Sequence, residues 1–335
     1  MNNITQTYLT AIEDSLHQAL EGVNSGIGYQ LYEILAYHMG WQEQSSRNQV
    51  IGKRFRPLLV LLSCSAAGGD WPNALPAAAA VELVHNFSLI HDDIEDNSPT
   101  RRGRPAVWKV WGVPQAINAG DAMFTLAHLQ AVRLADIISP SVAIRAVKLL
   151  QQSCLHLTQG QYLDLLFELR EDVSVDDYWS MVGGKTAALI SASAELGALS
   201  AGRDETICEI YRDFGRLLGL AFQVQDDYLG IWGDSILTGK SNQSDLLTHK
   251  KTLPVLYGLS KAGKFADQWR RKPEHLERAE DLASLLEAEG AREFTQSQGD
   301  ELIDKALDRL QAAHPSGSTA DELMQLARSL SSRQA

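Results

Sequence analysis

Apolar residues recur every three to four positions along nearly the whole chain, and no stretch keeps the two-residue alternation of a strand. This rhythm predicts helices over residues 5–22, 28–39, 56–67, 76–96, 114–136, 141–170, 177–199, 204–232, 252–263, 279–288, 298–312 and 319–332. Pro57, Pro76, Pro140 and Pro273 stand where a first helical turn accepts proline, and Pro99 and Pro105 interrupt the chain after residue 96. Ser174 and Asp177 have the spacing of a capping pair that opens the next helix. No low-complexity linker or solenoid repeat divides the sequence, so the expectation is one all-α domain over residues 1–335.

One predicted helix breaks the apolar pattern at its end. The run from Val81 to Ile90 is mostly apolar or small, then His91-Asp92-Asp93-Ile94-Glu95-Asp96 follows. Asp92 and Asp96 lie one turn apart on one face. Carboxylates this close repel one another and oppose the negative end of the helix dipole. A divalent cation would relieve both costs. His85 and Ser88 project near the same face as Asp92, which gives the look of a lined cleft rather than a solvated helix end. A second apolar helix ends in the same way, at Gln223-Val224-Gln225-Asp226-Asp227. Facing one another, the two ends would wall a cavity with carboxylates, and magnesium suits such a site because it takes one or two carboxylates and fills its other positions with water and phosphate oxygens.

Charge sharpens this picture. The 335-residue chain carries a net charge of -12, against a nucleic-acid or anionic-membrane partner. Its cations nevertheless cluster: Lys53, Arg54 and Arg56; Arg101, Arg102, Arg104 and Lys109; Lys185; and Lys240, Lys250 and Lys251. Basic clusters interleaved with metal-type carboxylates suit a diphosphate ligand. Gly183-Gly184-Lys185-Thr186 is no phosphate loop, since Trp179 stands where that motif needs glycine. Neither a nucleophile triad nor zinc spacing is present. Three scattered cysteines fit a reducing compartment, the first residues lack signal-peptide character, and no apolar run could span a bilayer. The expectation is a cytoplasmic protein without stable membrane insertion.

These segments resemble the trans-polyprenyl diphosphate synthase family over about residues 50–255. Gly52-Lys53-Arg54-Phe55-Arg56-Pro57, the acidic run at Asp92–Asp96 followed by Arg101-Arg102-Gly103-Arg104-Pro105, Lys185-Thr186, Phe222 to Asp227, and Gly239-Lys240 with Asp245 and Lys250 all follow the family's order. The resemblance implies an all-α bundle around a central cavity, a homodimer, and three Mg2+ ions. It implies metal binding by Asp92, Asp96 and Asp226. Lys53, Arg56, His85 and Arg102 would hold isopentenyl diphosphate, while Arg101, Lys185, Thr186, Gln223, Lys240 and Lys250 would hold the allylic diphosphate. Asp92, Asp96, Asp226, Lys185 and Arg101 would carry the catalysis.

The second acidic motif usually ends in aspartate in this family, but Gly230 stands there, and Asp234 lies too far along the helix to replace it. Upstream of Asp92, Phe87, Ser88 and Val84 occupy the positions that limit product length, and no insertion separates the aspartates. That combination resembles geranylgeranyl-forming members. The wheel turns Phe87 about 140° from Asp92, so plain core packing is the competing reading of its ring. The functional alternatives are a farnesyl or longer-chain synthase, a terpene cyclase on the same scaffold, and a regulatory subunit of an active synthase. A cyclase would have no second diphosphate for Lys53, Arg56, His85 and Arg102 to hold. A regulatory subunit would be expected to lose acidic residues that this chain keeps.

Overall fold

A computed structural model describes residues 3–24, 29–41, 54–233, 244–270 and 279–331. The predicted helices are present with shifted ends: α1 (Asn3–Glu21), α2 (Tyr29–Met39), α3 (Phe55–Ala66) and α4 (Leu75–Glu95) come first, with a 3₁₀ turn at Trp71–Ala74 before α4. A hairpin of two-residue strands, β1 (Thr100–Arg101) and β2 (Arg104–Pro105), precedes α5 (Val107–Trp111), α6 (Val113–Val132), α7 (Leu134–Ile137) and α8 (Pro140–Leu169). Then follow α9 (Val175–Val182), a π turn (Gly183–Ala187), α10 (Ala188–Ser200), α11 (Glu205–Trp232), α12 (Ser244–Leu247), α13 (Leu253–Lys261), α14 (Lys264–Trp269), α15 (Ala279–Ala288), α16 (Ala291–Gln311) and α17 (Ser318–Ser331).

Three departures from the periodicity have local causes. The hairpin was invisible because its strands are only two residues long. Arg102 (φ 52°) and Gly103 (φ 75°) form its turn with both residues left-handed, the geometry of a tight two-residue hairpin loop. The helix expected over 177–199 starts earlier and is interrupted. Ser174 caps α9 through a reciprocal pair with Asp177, and the Gly183–Ala187 segment widens into a π turn. The helix expected over 114–136 divides at Arg133.

The described chain packs into two compact units. One comprises Met1–Gln152, Ala192–Tyr211 and Ala313–Leu323, the other Ser153–Ser191, Arg212–Ala312 and Met324–Ala335. At the centre of the first unit is α4, whose residues Pro76 to Val84 are buried all round. A helix with no polar face belongs inside, and Ala77, Ala78, Ala79 and Ala80 let α1, α3 and α6 approach its backbone closely. Leu83 and Val84, both 0% exposed, fix this packing. Cutting such a leucine to alanine costs about 2–5 kcal/mol. The second unit is built around Phe167, Tyr178, Met181, Val182, Leu220, Val224, Leu253 and Leu256, and around a neighbouring cluster of Ile231, Leu246, Val255, Phe265 and Leu286. Each core holds the end of one helix that carries paired aspartates.

Candidate active site

In the first unit, α4 delivers Asp92, Asp93 and Asp96 at its C-terminal end, with Asp96 as the cap residue. The two members of the pair differ. Asp93 is buried (1% exposed), and Asp92 is half-buried at the surface. Arg101 bridges them, its Nη2 lying 2.9 Å from Asp92 Oδ2 and 2.7 Å from Asp93 Oδ1, with Nε donating to Asp93 Oδ1 at 2.9 Å. Burial pushes the Asp93 carboxyl upward and Arg101 pulls it back. Asp93 therefore holds the arginine, while Asp92 and Asp96 remain at the helix end as candidate oxygen donors.

The hairpin makes this possible by turning the chain back over α4. Arg104 Nη2 donates to the Tyr37 carbonyl at 2.8 Å with its guanidinium over the Tyr37 ring, and Tyr37 Oη donates to the Pro105 carbonyl at 2.8 Å. With Arg104 anchored, Arg101 is aimed at the aspartates and Arg102 takes the left-handed turn position. Arg102, Arg101, Arg104 and His38 surround one small cleft with Tyr37. Burial, then the three arginine charges, hold the buried His38 well below the usual histidine range. His85 is treated alike, by burial and then by Arg56 and Arg102, and its Nε2 lies 3.3 Å from Arg56 Nη1. It thus presents a neutral imidazole beside two guanidiniums.

Arg54 stands apart from its cationic neighbours. It is 3% exposed and sits between Glu13 (2.5 Å from Nε) and Glu82 (2.7 Å from Nη1), so it is a structural cation. Lys53 lies outside the described residues, as does Lys240.

The length-determining candidates are spread around α4. Val84 is fully buried. Ser88 Oγ donates to the His85 carbonyl at 2.8 Å. Phe87 packs edge-on against His91 and against Phe124 of α6, ring centroids 5.2 Å apart, and Phe124 in turn lies 4.4 Å from His128. Gly120 gives His91 its room, because a Cβ there would run into the imidazole. Phe124 carried no sequence signal of its own; only the packing of α6 on α4 selects it.

In the second unit the same division of labour recurs at the end of α11. Asp226 is exposed and Asp227 is 3% exposed. Asp227 accepts from Tyr178 Oη at 2.7 Å, from the Leu253 N–H at 3.0 Å and from Gln223 Nε2 at 2.9 Å, and Gln223 Oε1 accepts from Thr186 Oγ1 at 2.6 Å. Burial raises its pKa to about 7 against these three donors. Thr186 and Lys185 sit in the π turn, and Lys185 Nζ pairs with Asp164 of α8. That contact needs Gly160 and Gly184, since a Cβ on either would strike the other helix's backbone. Lys251 donates to the Phe167 carbonyl at 2.6 Å, at the C-terminal end of α8, whereas Lys250 is half-buried and its N–H bonds the Asp245 carbonyl at 2.9 Å. Asp164 and Tyr178 carry no sequence signal, and Asp227 reads there only as the neighbour of Asp226 in the second acidic pair, without a role of its own.

The donors fit magnesium. They are hard carboxylate oxygens offered in ones and twos, and among the described residues no three His, Cys, Asp or Glu side chains converge in the manner of an all-protein metal cage. No described helix is long and apolar enough to cross a membrane.

The chain is similar to known proteins over most of its length. The family model described as polyprenyl synthetase matches residues 41–287. The (2E,6E)-farnesyl diphosphate synthase of Mycobacterium tuberculosis is 41% identical over 312 residues, covering 90% of this chain and 86% of its own. The geranylgeranyl diphosphate synthase of the same organism is 46% identical over 256 residues, covering 76% and 71%. The crystal structure of a polyprenyl synthetase from Streptomyces coelicolor A3(2) superposes with a TM-score of 0.88 at 34% identity, covering 97% of this chain and 98% of that one. The all-α architecture, the paired aspartates and the extent of these matches show that the chain belongs to the polyprenyl synthetase family and is a prenyl-transferring enzyme.

Proposed function

We propose that this enzyme condenses isopentenyl diphosphate with an allylic diphosphate (dimethylallyl, geranyl or farnesyl) and stops at geranylgeranyl diphosphate. The names of its relatives include both farnesyl and geranylgeranyl synthases, so the length rests on side chains. The observation that carries it is the aromatic bridge of Phe87 on Phe124, set across α4 and α6 five residues before Asp92. A prenyl chain growing along α4 away from the aspartates meets these rings and stops, with Ser88 and Val84 completing the limit.

In this reading Asp92, Asp96 and Asp226 hold about three Mg2+ ions per active site. The metal, when bound, neutralises diphosphate oxygens and so eases departure of that group. The chain's own groups do the rest. Lys53, Arg56, His85 and Arg102 orient isopentenyl diphosphate, with His85 as a neutral hydrogen-bonding partner. Arg101, Lys185, Thr186, Gln223, Lys240 and Lys250 hold the allylic diphosphate. The allylic carbon–oxygen bond breaks, the double bond of isopentenyl diphosphate attacks the resulting cation, and a proton passes to the departed diphosphate. Catalysis is orientation plus fixed positive charge, with no protein nucleophile. The expected assembly is a homodimer, supported by exposed Ile117, Leu129 and Val132 on α6.

The test is a product assay with labelled isopentenyl diphosphate, farnesyl diphosphate and Mg2+. A single twenty-carbon diphosphate is expected. Fifteen-carbon or much longer products would overturn the length assignment. Hydrocarbon formed from the allylic substrate alone would replace condensation with cyclisation.

A further inference from the structure

The π turn Gly183–Ala187 is wedged between two helices of the second unit, and each gives way to it at a glycine. A Cβ on Gly160 of α8 would strike the Lys185 backbone, and one on Gly219 of α11 would lie 2.6 Å from Ala187 Cα. Four residues after each glycine, and so on the same face, a side chain reaches back to the turn. Asp164 pairs with Lys185 Nζ, and Gln223 Oε1 accepts from Thr186 Oγ1 at 2.6 Å. Lys185 and Thr186 are thus held by two different helices.

An amide can turn either its oxygen or its nitrogen to Thr186, and the two choices ask opposite things of the hydroxyl. Asp227 makes the choice. Its Oδ2 is taken by Tyr178 Oη at 2.7 Å and the Leu253 N–H at 3.0 Å, which leaves Oδ1 for Gln223 Nε2 at 2.9 Å. A carboxylate only accepts, so the amide nitrogen faces Asp227 and the amide oxygen faces Thr186. Leu253 opens α13, whose N-cap Thr252 makes no side-chain cap bond, so Asp227 serves that helix start as well. Tyr178, 1% exposed, stands on α9 in the segment that runs on into the π turn. That segment is tied to α11 at both ends, by Tyr178 through Asp227 and by Thr186 through Gln223.

We propose that Tyr178 is a positioning residue for the Lys185-Thr186 turn, acting through Asp227 and Gln223 to fix the Thr186 hydroxyl. A π turn is a rare interruption of an α-helix, and such turns recur at functional sites. Without the Tyr178 hydroxyl, Asp227 Oδ2 loses one of its two donors and the carboxylate is free to turn away from Gln223. The loosened amide then no longer dictates the direction of the Thr186 hydroxyl. The inference rests on the reading of Lys185 and Thr186 as part of the allylic diphosphate site.

The test is steady-state kinetics on the full-length protein with Mg2+, varying farnesyl diphosphate and isopentenyl diphosphate in turn. The variants are Tyr178→Phe, Thr186→Val and the two combined, with a melting curve for each. Tyr178→Phe keeps the ring and removes a single hydrogen-bond donor. Its kcat/KM for farnesyl diphosphate should fall about tenfold, while KM for isopentenyl diphosphate stays the same. Thr186→Val should show a loss of the same kind. In the Thr186→Val background, Tyr178→Phe should cost little more, because the path through which it acts is already broken. An equal fall in both backgrounds, or a loss for both substrates that follows the melting temperature, would make Tyr178 a packing residue and overturn the inference. Full activity of Tyr178→Phe alongside an impaired Thr186→Val would do the same. If Thr186→Val and Lys185→Ala both leave the farnesyl diphosphate kinetics unchanged, the allylic-site reading itself fails and this inference with it.

Discussion

Tyr178 donates its hydroxyl to Asp227 at 2.7 Å, tying the start of the α9 segment to the acidic end of α11 inside the core of one unit. The second aspartate of that pair is thus an internal fastener, and the first is left to face outward. Asp93 does the corresponding work in α4 through Arg101. In each pair the second aspartate is buried and the first is more exposed, although Arg101 bonds both members of the α4 pair.

That contrast predicts a pH dependence. Burial raises the Asp227 carboxyl from the ordinary carboxylate range to about 7 in the folded chain. Between these values the folded state holds a proton that the unfolded state has lost, so the stability contributed by Asp227 is fully present at low pH and is lost as pH rises from about 4 to about 7. Asp227→Asn should flatten this decline, measured as melting temperature against pH in metal-free protein. Persistence of the same slope in the variant would assign it to another group.

Arg101 should matter more for catalysis than for folding. It is held by two carboxylates at the end of α4 and is expected to reach the allylic diphosphate. Arg101→Lys keeps a charge but loses the planar fork that binds both aspartates. Its kcat should fall by about 10²–10³, in the range found when one positioned donor is removed, while the melting temperature changes little. A large loss of melting temperature with kcat retained would make Arg101 structural.

Arg54 should behave in the opposite way. Its guanidinium is buried between Glu13 and Glu82, so Glu82→Ala leaves a buried cation with one partner fewer. The expected cost is about 3 kcal/mol, towards the low end for a broken buried pair because Glu13 remains. Glu82→Gln, which can still accept a hydrogen bond, should cost less. Denaturant unfolding monitored by circular dichroism would show the order.

Phe87→Ala should lengthen the product, and Phe124→Ala should do so as well, because the two rings pack against each other. Thin-layer or mass-spectrometric analysis of the prenyl diphosphates would reveal chains beyond twenty carbons. An unchanged product from both variants would remove this aromatic bridge from the length limit.

Much of this was legible before any coordinates. Helical periodicity, first-turn prolines and the Ser174–Asp177 cap are local properties, and the helices they predict are present, most within a few residues, although the one expected from residue 298 begins at Ala291 and Pro273 lies outside the described residues. The interruption at Gly183–Ala187 was hidden, because a π turn keeps helical composition and its close approach to the backbone at Gly160 is a tertiary contact. The hairpin at Arg102-Gly103 was hidden as well, since its strands are too short for any alternation to register.

The sequence by itself determined the helical class, the two acidic helix ends and the cations set among them, because repulsion between neighbouring carboxylates and the period of a helix are written in residue order. Only tertiary structure decided which aspartate of each pair is buried, which arginine is a structural ion, which ring meets Phe87 and which carboxylate stands over Gly230. Those outcomes depend on desolvation and close packing between residues far apart in the chain, as when Asp245 lies against Gly230 and Tyr178 against Asp227. Burial gives identical side chains different work, and residue order does not record burial.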